Sequence, residues 1–186
     1  MAQFVSRAGQ KLEHAIVTFG IEVQDRICAD AGCSVGGFVD VLLRRGAARV
    51  YAIDTGWGVL DWRLRRDPRV VVMERTNAMH AVLPERVALL TIDVGWTRQK
   101  HILPAASRLL DDRGLVVTLI KPQYEADPAW LKRGVLPVER LDDVVRRVRE
   151  DIESVGLDLI DMTRSPIKGS GGNVELLALL RRASRA

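Results

Sequence analysis

The sequence has 186 residues, of which 47% are hydrophobic and 28% charged, which excludes a disordered chain and suits one globular domain that needs no disulfide or metal staple. No apolar run approaches the roughly 18 residues of a membrane span, and the first residues, Met1 to Arg7, lack the apolar core of a signal peptide. Two cysteines, Cys28 and Cys33, and three scattered histidines, His14, His80 and His101, predict no metal site, and the whole reads as a cytoplasmic protein. The net charge of +4 is carried by 23 Arg and only five Lys: Lys11, Lys100, Lys121, Lys132 and Lys168. Arginine runs such as Arg44-Arg45 and Arg65-Arg66 fit a polyanionic partner such as RNA, or a solvated basic surface. In so Arg-rich a chain, a retained Lys is a candidate for an amine that must lose its proton.

In chain order, residues 7–19 carry Leu12, Ala15, Ile16 and Phe19 on one helical face, with Ser6 as N-cap and Gly20 as stop. Strands are predicted at 26–30, 49–54, 69–74, 87–93 and 114–120. Helices are predicted at 36–45, about 97–110 and 138–155. Two closing strands follow, 157–163 and 174–180, joined only by a Gly/Ser/Pro loop, so they pair antiparallel. The expected fold is α/β: a seven-stranded, mostly parallel open sheet with an antiparallel edge strand and helices on both faces. Residues 1–22 are expected as an N-terminal helix extension packed on a domain spanning 23–186.

The run Asp30-Ala31-Gly32-Cys33-Ser34-Val35-Gly36-Gly37-Phe38 follows the first strand and opens a helix. Glycines there permit a tight turn and close approach to a ligand. Asp54 ends the second strand, where an acid can accept hydrogen bonds from both ribose hydroxyls of an adenosine. The acid Asp30 before the first glycine suits a cationic ligand better than a diphosphate, and S-adenosylmethionine carries a sulfonium, an ammonium and no phosphate. The plainer alternatives are that Gly36 and Gly37 only permit helix–sheet packing and that Asp54 caps a turn. Cys33 reads as a small packing residue.

Asp93 and Lys121 each end an apolar strand at its carboxyl end, where a charge is costly unless paired or beside water in a cleft. Glu175 is the lone charge of the last predicted strand. The plainer alternatives are a structural ion pair and a solvent-facing strand residue, and Lys11 alone reads as a solvated helix lysine. Trp57 and Trp96 follow strand ends and could stack on adenine or on a flipped nucleotide, whereas Trp62 and Trp130 read as ordinary aromatics.

The sequence resembles the TlyA-type (haemolysin A-like) group of FtsJ-like RNA ribose methyltransferases. The resemblance rests on Ser6-Arg7-Ala8-Gly9-Gln10-Lys11, the 30–38 run, Glu74-Arg75-Thr76-Asn77, Thr91-Ile92-Asp93-Val94, Ile120-Lys121-Pro122-Gln123 and Gly172-Asn173-Val174-Glu175, in that order along nearly the whole chain. It implies a Rossmann-like class I methyltransferase, S-adenosylmethionine as cofactor and RNA, such as ribosomal RNA or a ribosomal subunit, as partner. It also assigns a catalytic Lys-Asp-Lys-Glu tetrad to Lys11, Asp93, Lys121 and Glu175. The cofactor set becomes Asp30, Ala31, Gly32, Cys33, Ser34, Gly36, Gly37, Phe38, Asp54, Thr55, Thr76, Asn77 and Asp93, and Arg7 and Lys168 are expected to touch phosphate. Members of the group usually begin with a small RNA-binding S4 module, and this sequence is expected to lack it. It also departs after Asp93, where Val94-Gly95-Trp96-Thr97-Arg98 replaces a Ser-Phe-Ile-like run, which leaves the target open.

The implied chemistry is methyl transfer to a ribose 2′-hydroxyl, with Lys121 as general base, its pKa lowered by Lys11 and partial burial. Three rivals remain at this point. One is methylation of a base nitrogen or a small alcohol. The second is nicotinamide-dependent oxidoreduction, which lacks an evident Tyr-Lys pair. The third is a non-enzymatic cytolysin, for which no membrane-length segment is found.

Overall fold

The computed structural model describes residues 4–183. It opens with α1 (Ala8–Phe19), whose Leu12, Ala15 and Ile16 are buried along one stripe. Packing rather than capping holds this helix, because its N-terminus has no side-chain cap. Ser6, the expected cap, instead offers its backbone carbonyl to the Gly9 N–H at 3.1 Å, and Arg7 takes the cap position. Gly20 ends the helix with φ 63°, a conformation in which any side chain would be strained.

Strand and helix then alternate: β1 (Ile27–Ala31), α2 (Gly37–Arg44), β2 (Arg49–Ile53), the short α3 (Trp62–Arg65), β3 (Val70–Met73) and β4 (Val87–Ile92). They continue as α4 (Gln99–Leu109), β5 (Leu110–Ile120), the one-turn α5 (Pro122–Glu125), α6 (Leu141–Ser154), β6 (Leu157–Arg164) and β7 (Leu176–Arg182). Several expected boundaries move by a residue or two, and three shift further or bear on the site. β5 starts at Leu110 rather than Gly114, because α4 runs straight into it. α6 starts at Leu141, since Val138–Arg140 forms a separate 3-10 turn. β7 starts at Leu176, so Glu175 lies just ahead of the strand rather than inside it.

The strands form the expected single seven-stranded sheet in the order β3-β2-β1-β4-β5-β7-β6. β1 to β5 pair in parallel, and β7 runs antiparallel to both neighbours. The reversed strand therefore lies one place in from the edge, with β6 outermost. The long crossover through α6 steps over one position, and the short 165–175 loop sends the chain back into the gap, where both ladder edges of β7 are satisfied. The sheet is apolar on both faces. Leu176, Ala178 and Leu180 of β7 pack with α4 and α6, and Leu177 and Leu179 pack with α1 and α2. After β1 the chain builds outward through β2 and β3, and from β4 it builds the other way. The crevice at the carboxyl ends of β1 and β4 is thus the switch point where open α/β sheets bind ligands.

Candidate active site

The turn after β1 is locked to β2: the Gly32 and Cys33 N–H groups both donate to the Ile53 carbonyl, at 2.9 and 3.0 Å. Gly32 has φ 83°, and a Cβ there would lie 2.6 Å from the Asp93 carbonyl oxygen, so only glycine lets this turn lie against the end of β4. Ser34, at φ 48°, donates its N–H to Asp54 Oδ2 at 2.7 Å, and Gly56 donates to Asp54 Oδ1 at 2.7 Å. Asp54 thereby ties the turn to the end of β2. Gly36 and Gly37 do different work: added side chains would strike Leu64 of α3 and Ser6 ahead of α1. These neighbours belong to α3 and to the α1 segment rather than to the sheet, and Gly37 also lines the second of the clefts beside the turn.

Two clefts flank the turn. The main one, about 330 Å³, is lined by Gly32, Ser34, Asp54 and Thr55 on one side and by Thr76, Asn77 and Asp93 to Thr97 on the other. The second, about 260 Å³, is lined by Ser6, Ala8, Asp30, Gly32 to Val35, Gly37, Phe38, Asp93 and Lys121. Ala31 and Gly36 line neither cleft. Asp30 is 1% exposed; Thr91 donates its hydroxyl to Oδ1 at 2.8 Å, while Oδ2 is buried with no partner. Burial pushes the Asp30 carboxyl up to about 7, and the like charges of Asp93 and Asp54 push the same way. Three carboxyl groups around one turn make a site that favours a cation. Cys33 is buried and its thiol is pushed above the usual range, chiefly by desolvation, which is unlike a nucleophile.

The four chemically suggestive residues form two ion pairs. Lys121 Nζ lies 2.6 Å from Asp93 Oδ1 and donates to the Val94 carbonyl at 3.1 Å. Lys11 Nζ lies 2.5 Å from Glu175 Oε2, with side chains only 9% and 3% exposed. Sequence reasoning on Lys11 alone gave a solvated lysine; the structure buries it against a partner 164 residues away. Ile120 of β5 pairs with Leu176 of β7, so Lys121 and Glu175 are the next positions outward on the same ladder. The two ion pairs consequently sit at adjoining strand ends. Arg7 and Lys168 are exposed and line neither cleft. Arg7 precedes Ala8 of the second cleft, and Lys168 precedes Gly169, where a side chain would strike Glu175.

Some residues that shape the site were missed. Asn173, 3% exposed, accepts from the Leu136 N–H at 3.0 Å and donates to the Gly134 and Ser170 carbonyls, fixing the loop that carries Glu175. Glu125 accepts from the Gln99 N–H at 2.8 Å, and Gln99 accepts from the Thr118 hydroxyl at 2.8 Å. This chain of bonds clamps the segment after Lys121 to the segment after Asp93. Burial pushes the Glu125 carboxyl up to about 7. Trp96, 85% exposed at φ 53°, lines the main cleft and stands 6.2 Å from the Tyr124 ring.

An open sheet with its cleft at the switch point, an acidic glycine turn and lysine–carboxylate pairs at the strand ends defines a Rossmann-like methyltransferase. Residues 4–182 match the model of the FtsJ-like methyltransferases, and the chain belongs to that family. It is 39% identical to hemolysin A of Brachyspira hyodysenteriae over 95% of this chain and 76% of that protein. It is 41% identical to the 16S/23S rRNA (cytidine-2′-O)-methyltransferase TlyA of Mycobacterium tuberculosis, over 96% of this chain and 68% of that one. A solved structure of a Streptococcus thermophilus protein that carries the name hemolysin superposes with a TM-score of 0.95 at 38% identity, covering 99% of this chain and 69% of that one. Among the described residues, no helix is long and apolar enough to cross a membrane.

Proposed function

We propose that this chain is an S-adenosylmethionine-dependent methyltransferase that methylates a ribose 2′-hydroxyl of RNA, with ribosomal RNA as its substrate. The observation that carries the reading is the pair of ion pairs, Lys121–Asp93 and Lys11–Glu175, at adjoining strand ends beside the acidic glycine turn. Membership of the FtsJ-like family and the similarity to an rRNA 2′-O-methylating enzyme support it. A ribosomal substrate puts the protein in the cytoplasm. The N-terminal helix, expected as an extension of the 23–186 domain, supplies Lys11 and so works as part of the catalytic unit.

The residues fit a cationic cofactor. Asp30 holds a buried acceptor with no protein partner, and Asp54 keeps free lone pairs beyond its two backbone hydrogen bonds. Gly32, Ser34, Thr55, Thr76 and Asn77 line the main cleft with Asp54, and Asp30 lines the second cleft on the other side of Gly32. When bound, S-adenosylmethionine supplies a methyl group on a positively charged sulfur. Lys121 Nζ is the group that takes the hydroxyl proton as the oxygen gains the methyl. Asp93 and the Val94 carbonyl hold that amine in place. Lys11 and Glu175, fixed by burial, offer one donor and one acceptor to orient the hydroxyl, which is the positioning contribution. Arg7 and Lys168 supply charge for flanking phosphates, and Trp96 with Tyr124 offers a ring surface to the nucleotide.

The test is transfer of labelled methyl to purified ribosomal RNA, followed by digestion to nucleosides. The expected product is a 2′-O-methylated nucleoside. Label on a base nitrogen, or transfer only to small alcohols, would contradict the reading.

A further inference from the structure

We infer that the exposed segment between β2 and β3 is a second RNA-contacting surface, a stacking platform for unpaired nucleotides built on Trp57 and Trp62. This deepens the RNA-methylation reading and rests on it. The two indoles are 70% and 62% exposed, and neither lines a cleft beside the glycine turn.

The arginines around them divide into two groups. Arg63, Arg65 and Arg69 are each paired with a carboxylate, on Asp61, Glu74 and Asp67 respectively. Arg66 and Arg75 have no carboxylate partner among the described residues. Each instead stands over an indole, Arg66 over Trp62 and Arg75 over Trp57, both at 5.3 Å from the ring. A guanidinium on an indole keeps its full positive charge and leaves N–H groups for a phosphate. Where neighbouring arginines are neutralised and these two are not, the uncompensated charge lies on the aromatic rings.

One carboxylate knits the two indole–arginine units together. Glu74 accepts from the Gly58 N–H at 2.7 Å, pairs with Arg65 and directly precedes Arg75. Gly58 follows Trp57, and Arg65 precedes Arg66, so both units are tied to the same side chain. Backbone bonds from Arg75 N to the Gly56 carbonyl, at 3.1 Å, and from Thr76 N to the Asp54 carbonyl, at 2.9 Å, anchor this surface to the rim that carries Asp54. Arg75 reaches its place over Trp57 with φ 53°, a conformation that is uncommon outside glycine. Rings that stack on bases and cations that meet the backbone are the chemistry by which proteins hold single-stranded nucleic acid. A rigid aromatic–basic surface beside the cleft mouth would grip nucleotides flanking the one that is modified.

The experiment uses the whole chain with two substitutions, Trp57→Ala and Trp62→Ala, alone and combined. Binding of a short single-stranded oligocytidylate is read by fluorescence anisotropy, cofactor binding by calorimetry and folding by thermal melting. The combined variant is expected to bind the oligonucleotide about tenfold or more weaker, with cofactor affinity and melting unchanged. Restoring an aromatic ring with Trp62→Phe should recover part of the loss, and a duplex RNA should be affected less than the single strand. Wild-type affinity of the combined variant for the oligonucleotide overturns the platform. Loss of binding to intact ribosomal subunits with naked RNA unaffected also overturns it and assigns the surface to a protein. The methyl-transfer reading fails separately, if the unaltered protein moves no methyl to ribosomal RNA.

Discussion

The two ends of the central strands carry charged side chains and use them differently: exposed or half-buried at the amino ends, buried or lining the cleft at the carboxyl ends. At the amino ends, Arg86, Arg108 and Arg182 converge on the last turn of α4 and its junction with β5. Arg86 donates to the Arg108 and Leu110 carbonyls at 2.7 and 3.1 Å, Arg108 to Pro104 at 3.4 Å, and Arg182 to Ser107 and Leu110 at 2.5 and 2.7 Å. A helix end leaves its final carbonyls unpaired and negative, and these guanidinium groups complete it. At the carboxyl ends the charges meet one another more than the backbone, Lys121 alone of the four donating to a backbone carbonyl, that of Val94. Lys11, Asp93, Lys121 and Glu175 pair with one another, and Asp30 keeps an acceptor with no partner. Charges that satisfy the fold stabilise it; charges the fold does not need mark the site of chemistry.

The comparison breaks most sharply at Lys121. Lys121→Arg keeps the positive charge but cannot accept a proton, so methyl transfer should fall by about 10²- to 10⁴-fold. Cofactor affinity and melting temperature should stay near those of the unaltered protein, and near-normal turnover would return Lys121 to a structural role. Asp54→Ala loses the carboxylate that holds Ser34 and Gly56, and it should weaken cofactor binding by about tenfold to a hundredfold, read by calorimetric titration.

Asp30→Asn sharpens the contrast through pH. The folded carboxyl titrates at about 7 and the unfolded one at 3.8, so between those values the unfolded chain has released a proton that the native state still holds. Native stability therefore falls as pH rises through that window, by at most about 1.4 kcal/mol per pH unit from this group. Asp30→Asn removes the dependence. Denaturant melts should show the variant gaining on the unaltered protein from pH 4 to 7 while cofactor binding weakens. The smallest effect belongs at the opposite end. Arg108→Ala should cost about 1 kcal/mol of stability and leave transfer unchanged.

The legibility of these two ends in the sequence also differs. The strand–helix alternation, the glycine turn, Asp54 and the lone charges Asp93 and Lys121 can be read from local pattern, because an apolar run ending in a charge is a local statement. Lys11 cannot: on a helix it is an ordinary polar position, and only a contact across 164 residues gives it meaning. The place of β7 is set by the crossover before it rather than by its own residues. That Gly36 and Gly37 also leave room for Leu64 and Ser6 cannot be read locally, because those side chains belong to other segments. Asn173 and Glu125 act through backbone groups far along the chain, which no spacing rule reveals.

The most direct test of Lys121 as the proton acceptor is chemical rescue. Lys121→Ala, assayed in single turnover on ribosomal RNA, should transfer methyl only when small primary amines are added, with the rate rising with amine concentration. Wild-type rates in Lys121→Ala without any amine would contradict the assignment.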